Sequence, residues 1–168
     1  VGVIVGGIVT DGEAGSVLLG VTVTDGGQIN VMEYVTIATA GNATDFGDIS
    51  TLRAYSTGVS SKTRGVYAGG TGGQQGSVGN EIEYITIAST GDATDFGDLT
   101  VAGVEDVCGT GNATRGITIA GTGVSPTGLC NVVDYITFGS TGNATDFGDT
   151  LAVTKEGAAA GSAHGGLS

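Results

Sequence analysis

The sequence predicts an all-β protein made of antiparallel four-stranded repeats. Three observations carry this. Glycine supplies 34 of 168 residues, among abundant Thr, Val and Ile. Straight-chain helix formers are scarce and no stretch shows a helical hydrophobic period. A block of 19 residues recurs three times, at 30–48, 80–98 and 131–149. β-branched residues between glycine turns favour short strands over helices, and a chain this rich in apolar β-branched residues is not composed like a disordered one.

The three blocks read NVMEYVTIATAGNATDFGD, NEIEYITIASTGDATDFGD and NVVDYITFGSTGNATDFGD. Gly15, Gly65 and Gly116 each stand 15 residues before the Asn that opens a block, and each begins a short apolar stretch. The period is therefore 50 to 51 residues. It divides the chain, taken as a single domain over 1–168, into repeats at approximately 15–64, 65–115 and 116–165, with 1–14 as a preceding strand.

Within the second repeat four strands are expected: 65–70, ending in Gly69-Gly70; 81–88, with alternating apolar character; 93–102, around Phe96 and Leu99; and 105–113. Ser89–Asp92 reads as a turn. Alanines between Thr154 and Gly166 are interrupted by too many glycines for a stable helix. Gly165-Gly166-Leu167 has the character of a fourth repeat just beginning.

A repeat of about 50 residues with four short strands, one closed by Gly-Gly, carries the signature of a kelch-type propeller blade. The order of landmarks agrees, with Tyr34, Tyr84 and Tyr135 in the earlier aromatic slot. Phe46, Phe96 and Phe147 stand where such blades usually carry Trp. The strings EYITIASTGDATDFGDLTVA and DYITFGSTGNATDFGD closely resemble kelch-like repeats in virion proteins of tailed phages of marine bacteria. That resemblance covers nearly all of 15–149. It implies the blade fold and a place in a fibre, spike or surface appendage of the virion, and it supplies no catalytic residues.

Propellers typically close with four to eight blades. Three blades form an incomplete ring unless the chain oligomerises, stacks within an assembly or belongs to a longer polypeptide, and exposed blade faces favour association. The expected partners are copies of the chain or other virion proteins, with a host-surface glycan as a further candidate. A terminal segment can supply one strand to a neighbouring unit. The chain begins with Val and is read as processed or as a segment of something longer.

Seventeen acids against five bases give a net charge of −12. Such a surface repels phosphate backbones and anionic lipid, which argues against nucleic-acid partners and membrane attachment. No apolar run reaches the roughly 18 residues of a spanning helix. The apolar opening Val1–Val9 is β-branched and lacks the basic flank of a secretion signal.

The repeated string also concentrates oxygen ligands: Asp45 and Asp48, Asp95 and Asp98, Asp146 and Asp149, with Asn42, Asp92 and Asn143 nearby. Oxygen donors three apart in a glycine loop suit Ca²⁺. The spacing matches neither an EF-hand nor a calcium β-roll, so turn capping is the expected role and no cofactor is expected. Asp-Phe-Gly, a metal-binding triplet in kinases, recurs three times without any other kinase motif. Asn42, Asn112 and Asn143 open Asn-Ala-Thr sequons, although Asp92 replaces Asn in one repeat.

Arg64 and Arg115 precede the glycine-led strand and are expected to pair with a repeat acid such as Asp48 or Asp98, linking neighbouring repeats. Cys108 and Cys130 lack counterparts in the repeat and are expected to be buried free thiols, which leaves their redox compartment open. A single His164 cannot build a copper-oxidase site, and no carboxylate pair stands apart from the repeat as a glycosidase needs. The chain therefore reads as non-enzymatic. The expected function is a phage virion structural protein with possible adhesion through loops 24–29, 71–79 and 122–130. Alternatives are a secreted bacterial propeller adhesin or carbohydrate-binding module and, remotely, a kelch-fold enzyme.

Overall fold

A computed structural model of the chain describes residues 7–9, 16–18, 29–36, 40–72, 77–101, 106–122, 128–154 and 157–161. Among them every regular element is a β-strand. The strands are β1 (Gly7–Val9), β2 (Ser16–Leu18), β3 (Ile29–Val35), β4 (Thr44–Ala54), β5 (Thr57–Ser60), β6 (Arg64–Ala68), β7 (Thr71–Gly72), β8 (Ser77–Val78), β9 (Glu81–Thr86), β10 (Thr94–Asp98), β11 (Cys108–Gly111), β12 (Arg115–Thr122), β13 (Leu129–Thr137) and β14 (Thr145–Thr154).

They form three antiparallel sheets. The first runs β1-β2-β3-β4-β7-β8, the second β10-β9-β6-β5 and the third β11-β12-β13-β14. The all-β expectation is met, and each sheet contains four antiparallel strands that correspond between repeats. The sheets, however, begin one strand earlier than the repeats at 15–64, 65–115 and 116–165. Thr57–Ser60 pairs with β6, and Cys108–Gly111 pairs with β12. Tight turns explain this phase. The Ser61 amide donates to the Arg64 carbonyl and the Asn112 amide to that of Arg115, both at 2.9 Å. Asn112 Oδ1 accepts from the amides of Thr114 and Arg115. Such turns make the hairpin partner the strand immediately before the repeat glycine. In the same way, Gly7–Val9 is paired with Ser16–Leu18 inside the first sheet.

Alternation gives the middle sheet two buried faces. Tyr67 and Ile85 pack against Met32, Phe46 and Ile49 of the first sheet. Val66, Ala68, Ile82 and Phe96 pack on the other side against Ile136 and Phe138 of the third. First strands lie beside one another, with β5 adjacent to both β1 and β11. Gly109 allows a close approach of β11 to β5, since a Cβ there would lie 2.7 Å from Val59 Cγ1.

Thr71–Gly72 and Ser77–Val78, read as part of an outward loop at 71–79, are strands, while 73–76 lies outside the described residues. Gly69 and Gly70, at φ +67° and +101°, turn the chain out of the second sheet. β7 then pairs with the end of β4 through Arg53↔Gly72 and Ala54↔Thr71, and β8 pairs with β7. Most of 24–29 and 122–130 lies outside the described residues. Among the described residues, no helix is long and apolar enough to cross a membrane.

Candidate functional site: the sheet-to-sheet docking motif

The Asp-Phe-Gly-Asp string ends each repeat block on the fourth strand of its sheet. Its backbone meets the Gly-Asx-Ala turn of the next sheet in a fixed pattern. Between the first and second sheets, the Gly91 amide donates to the Phe46 carbonyl at 2.7 Å and the Ala93 amide to that of Asp48 at 2.8 Å. The Asp48 amide donates to Asp92 Oδ1 at 3.0 Å, and the Ser50 amide to Glu83 Oε1 at 3.0 Å. Between the second and third, Gly142 and Ala144 donate to the Phe96 and Asp98 carbonyls at 2.7 and 2.8 Å. The Asp98 amide donates to Asn143 Oδ1 at 3.2 Å, and the Thr100 amide to Asp134 Oδ2 at 2.8 Å. Four hydrogen bonds thus recur, position for position.

The central glycine of the string serves this approach. Gly47 and Gly97 have φ of +143° and +146°, and a Cβ would stand 2.4 Å from the Gly91 carbonyl oxygen and 2.5 Å from that of Gly142. The Phe between them plugs the same seam. Phe46 and Phe96 are 4% and 3% exposed. Each meets its repeat Tyr edge to face: Tyr34–Phe46 at 6.1 Å, Tyr84–Phe96 at 5.9 Å and Tyr135–Phe147 at 6.0 Å between centroids. Such pairs contribute about 0.5–1.5 kcal/mol beyond area burial.

The arginines differ from expectation. Arg64 and Arg115 lie over Tyr84 and Tyr135, 4.5 and 4.6 Å from the ring centroids. Arg64 does link two sheets, but through a carbonyl: its Nη1 donates to the Phe138 oxygen at 2.7 Å. A planar guanidinium can stack on a ring while its fork reaches a backbone acceptor beyond the ring edge.

Of the six acids nominated for calcium, two have side chains that accept backbone amides. Asp45 and Asp146 accept the amides of Gly47 and Gly148 at 3.1 and 2.8 Å. Asp48 and Asp98 contribute main-chain atoms to the seam. Among the described residues, no three His, Cys, Asp or Glu side chains converge as a metal would require. Gly116 lies against Val59, where a Cβ would be 2.7 Å away. Gly65 is buried, and Gly15 lies outside the described residues.

Cys108 and Cys130 are free but half-buried, short of the burial expected. Cys108 begins the edge strand β11, and Cys130 lies near the start of the interior strand β13. Partial burial raises each thiol above its ordinary value.

One buried cluster does break the repeat. Arg53, 1% exposed, forms ion pairs from Nη2 to Glu81 Oε2 at 3.2 Å and Glu83 Oε2 at 3.3 Å. It also donates from Nη1 to the Glu81 carbonyl and from Nε to Thr51 Oγ1. Ser56 Oγ donates to the buried Tyr67 hydroxyl, and burial pushes the Tyr67 phenol up to about 12. Arg53, Glu83, Ser56 and Tyr67 are buried, Glu81 reaches solvent at the rim, and the cluster braces the first sheet on the second. The Glu before each repeat Tyr (Glu33, Glu83, with Asp134 in the third repeat) was a legible signal for part of it; Arg53, which has no counterpart, was not.

No family model matches the chain, and no curated protein matches it in sequence. Its fold is similar to the solved structure of YjhT, with a TM-score of 0.65 and 10% identity over 86% of this chain. The matched part is 51% of that chain, so the present chain spans about half its length. At such identity the likeness is one of fold.

Proposed function

We propose that the chain is a non-enzymatic structural protein of a phage virion, built from kelch-type propeller blades and serving in a fibre, spike or surface appendage. The observation that carries the reading is the fourfold hydrogen-bond pattern repeated at both seams. It engages the side chains of Asp92, Glu83, Asn143 and Asp134 in joining sheets. Repetition of one supersecondary unit with identical junctions is how a scaffold extends rigidity along its length. The resemblance of the repeat strings to marine tailed-phage virion repeats supports the location. The acidic surface suits an extracellular particle component that avoids its own nucleic acid.

The test is compositional. Particles of the encoding phage, purified by density gradient, should contain peptides of this chain by mass spectrometry at a fixed copy number. Antibody raised against it should decorate intact particles in electron micrographs. Absence from purified particles, with the chain recovered instead from host culture medium, would favour a secreted adhesin.

A further inference from the structure

The third sheet carries the docking motif with its outer face still open. Phe147 is 58% exposed, against 4% and 3% for Phe46 and Phe96. A Cβ built on Gly148 meets nothing within 4 Å among the described residues, although its φ of +136° matches those of Gly47 and Gly97. Ile117 and Val133 lie on the same face as Tyr135 and Phe147, as the register Ile117↔Tyr135 and Ile119↔Val133 requires. All three of Ile117, Ile119 and Val133 are half-buried, whereas their counterparts Val66, Ala68 and Ile82 are sealed. Arg115 is exposed on its Tyr135 ring, while Arg64 in the same position reaches the next sheet.

The first sheet carries the other half. Gly41, Asn42 and Ala43 occupy the turn positions of Gly91–Ala93 and Gly142–Ala144, and all three are exposed. Glu33 is exposed where Glu83 and Asp134 are buried acceptors, and Val35 is half-buried where Ile85 and Ile136 are sealed.

We propose that these two faces dock head to tail between two copies of the chain. The Gly41 and Ala43 amides donate to the Phe147 and Asp149 carbonyls. The Asp149 amide donates to Asn42 Oδ1 and that of Leu151 to Glu33. Two such junctions, related by a twofold axis, close a ring of six sheets, within the four to eight of closed propellers. Burial of the apolar face carrying Phe147 drives the contact, as Phe46 and Phe96 are buried at the existing seams. Segment 157–161 lies against β11 on this same side, with Gly157 beside Cys108 Sγ and Gly161 beside Thr110 Oγ1. It takes the lane of a further first strand, so β1 of the arriving copy must displace it. The inference rests on the seams and is independent of a role in the virion.

The experiment is sedimentation equilibrium and light scattering on the 168-residue chain and on Phe147→Asp and Ala43→Arg, each at an exposed position, with circular dichroism and melting curves to establish folding. The wild-type chain is expected at the mass of two chains, and each folded variant at the mass of one. Mixing the two variants restores one intact junction and should return a dimer. Deleting 155–168 should tighten wild-type association at least several-fold. A monomeric wild-type chain, or association unchanged in both variants, or a mixture that stays monomeric, overturns the proposal.

Discussion

Arg53 on the first sheet and Glu83 on the second meet 3.3 Å apart, with 1% and 4% of their side-chain surface exposed. Both are nearly withdrawn from water at a seam otherwise made of apolar packing and hydrogen bonds from backbone amides. The contact is an ion pair without hydrogen-bond geometry at Nη2 and Oε2, while Glu83 Oε1 accepts the Ser50 amide. Removing one partner leaves the other charge buried. Arg53→Met should therefore cost about 3–5 kcal/mol, read from the denaturation midpoint at constant m-value. Arg53→Met with Glu83→Gln should recover a large part of that loss. A double variant no more stable than the single one would show that the pair acts through packing instead.

The turn acceptor offers a milder test. Asp92 Oδ1 holds the Asp48 amide, and Asn143 Oδ1 holds that of Asp98 in the neighbouring seam. An amide oxygen therefore serves the position as well as a carboxylate. Asp92→Asn should melt at or above the wild-type temperature in low salt. Asp92→Ala, which removes the acceptor, should lose about 1 kcal/mol. Equal melting of all three proteins would mean that the bond contributes nothing.

The third test compares Gly97 with Gly148. They share the position in the string and a φ near +140°, so alanine at either incurs backbone strain of about 1–3 kcal/mol. At Gly97 the added Cβ also collides with Gly142 backbone at 2.5 Å. Gly97→Ala should exceed Gly148→Ala by a further 1–3 kcal/mol, roughly the cost of overpacking. The comparison is made by urea denaturation of the dissociated chain. Matching losses would assign the recurring glycine of the string to φ alone and not to close approach between sheets.

Much of this fold was legible because the repeat is strict. Period-2 alternation marked β9, and the Gly-Gly pair marked the end of β6. The Tyr and Phe landmarks meet in every sheet. The phase was not legible, because a repeat defined by similarity has no preferred origin. The strand expected at 105–113 therefore falls at the end of the second repeat by sequence, while the turn at Asn112 pairs Cys108–Gly111 with the third sheet. The Arg64 contact was misread for a related reason. Charge pairing is suggested by sequence, but a backbone carbonyl carries no residue signature, and the Phe138 oxygen lies 74 residues away. The excursion of β7 and β8 into the first sheet was equally hidden, since nothing in Thr71–Gly79 names its partner strand.

The cation–ring stack gives a fourth test. Arg64 spans the second seam, whereas Arg115 ends on an exposed face. In the dissociated chain, Arg64→Ala should lose about 1–3 kcal/mol, since both the stack and a charge-assisted hydrogen bond disappear. Arg115→Ala should lose under about 1 kcal/mol. Arg64→Lys should fall between them, because a lysine keeps the charge without the planar fork. The reverse order would mean that the Tyr135 stack, not the Phe138 carbonyl, carries the larger share.

The buried phenol sets an alkaline limit on stability. Burial raises Tyr67 from 10.0 to about 12, with smaller opposing contributions from the Ser56 hydrogen bond and Arg53. The unfolded chain therefore loses this proton first as pH rises. Between about pH 10 and 12 the native state binds more protons than the unfolded state, so stability falls across that window and is fully retained below it. A shift of this size corresponds to roughly 2–3 kcal/mol over the full interval. Other tyrosines and lysines titrate in the same range, so the informative quantity is the difference between wild type and Tyr67→Phe. The variant should be less stable at neutral pH by the lost Ser56 contact, about 1 kcal/mol. Its stability should then decline less steeply above pH 10, narrowing or reversing the gap. Parallel pH profiles for the two proteins would show that the Tyr67 phenol ionises in the folded protein as readily as in the unfolded chain.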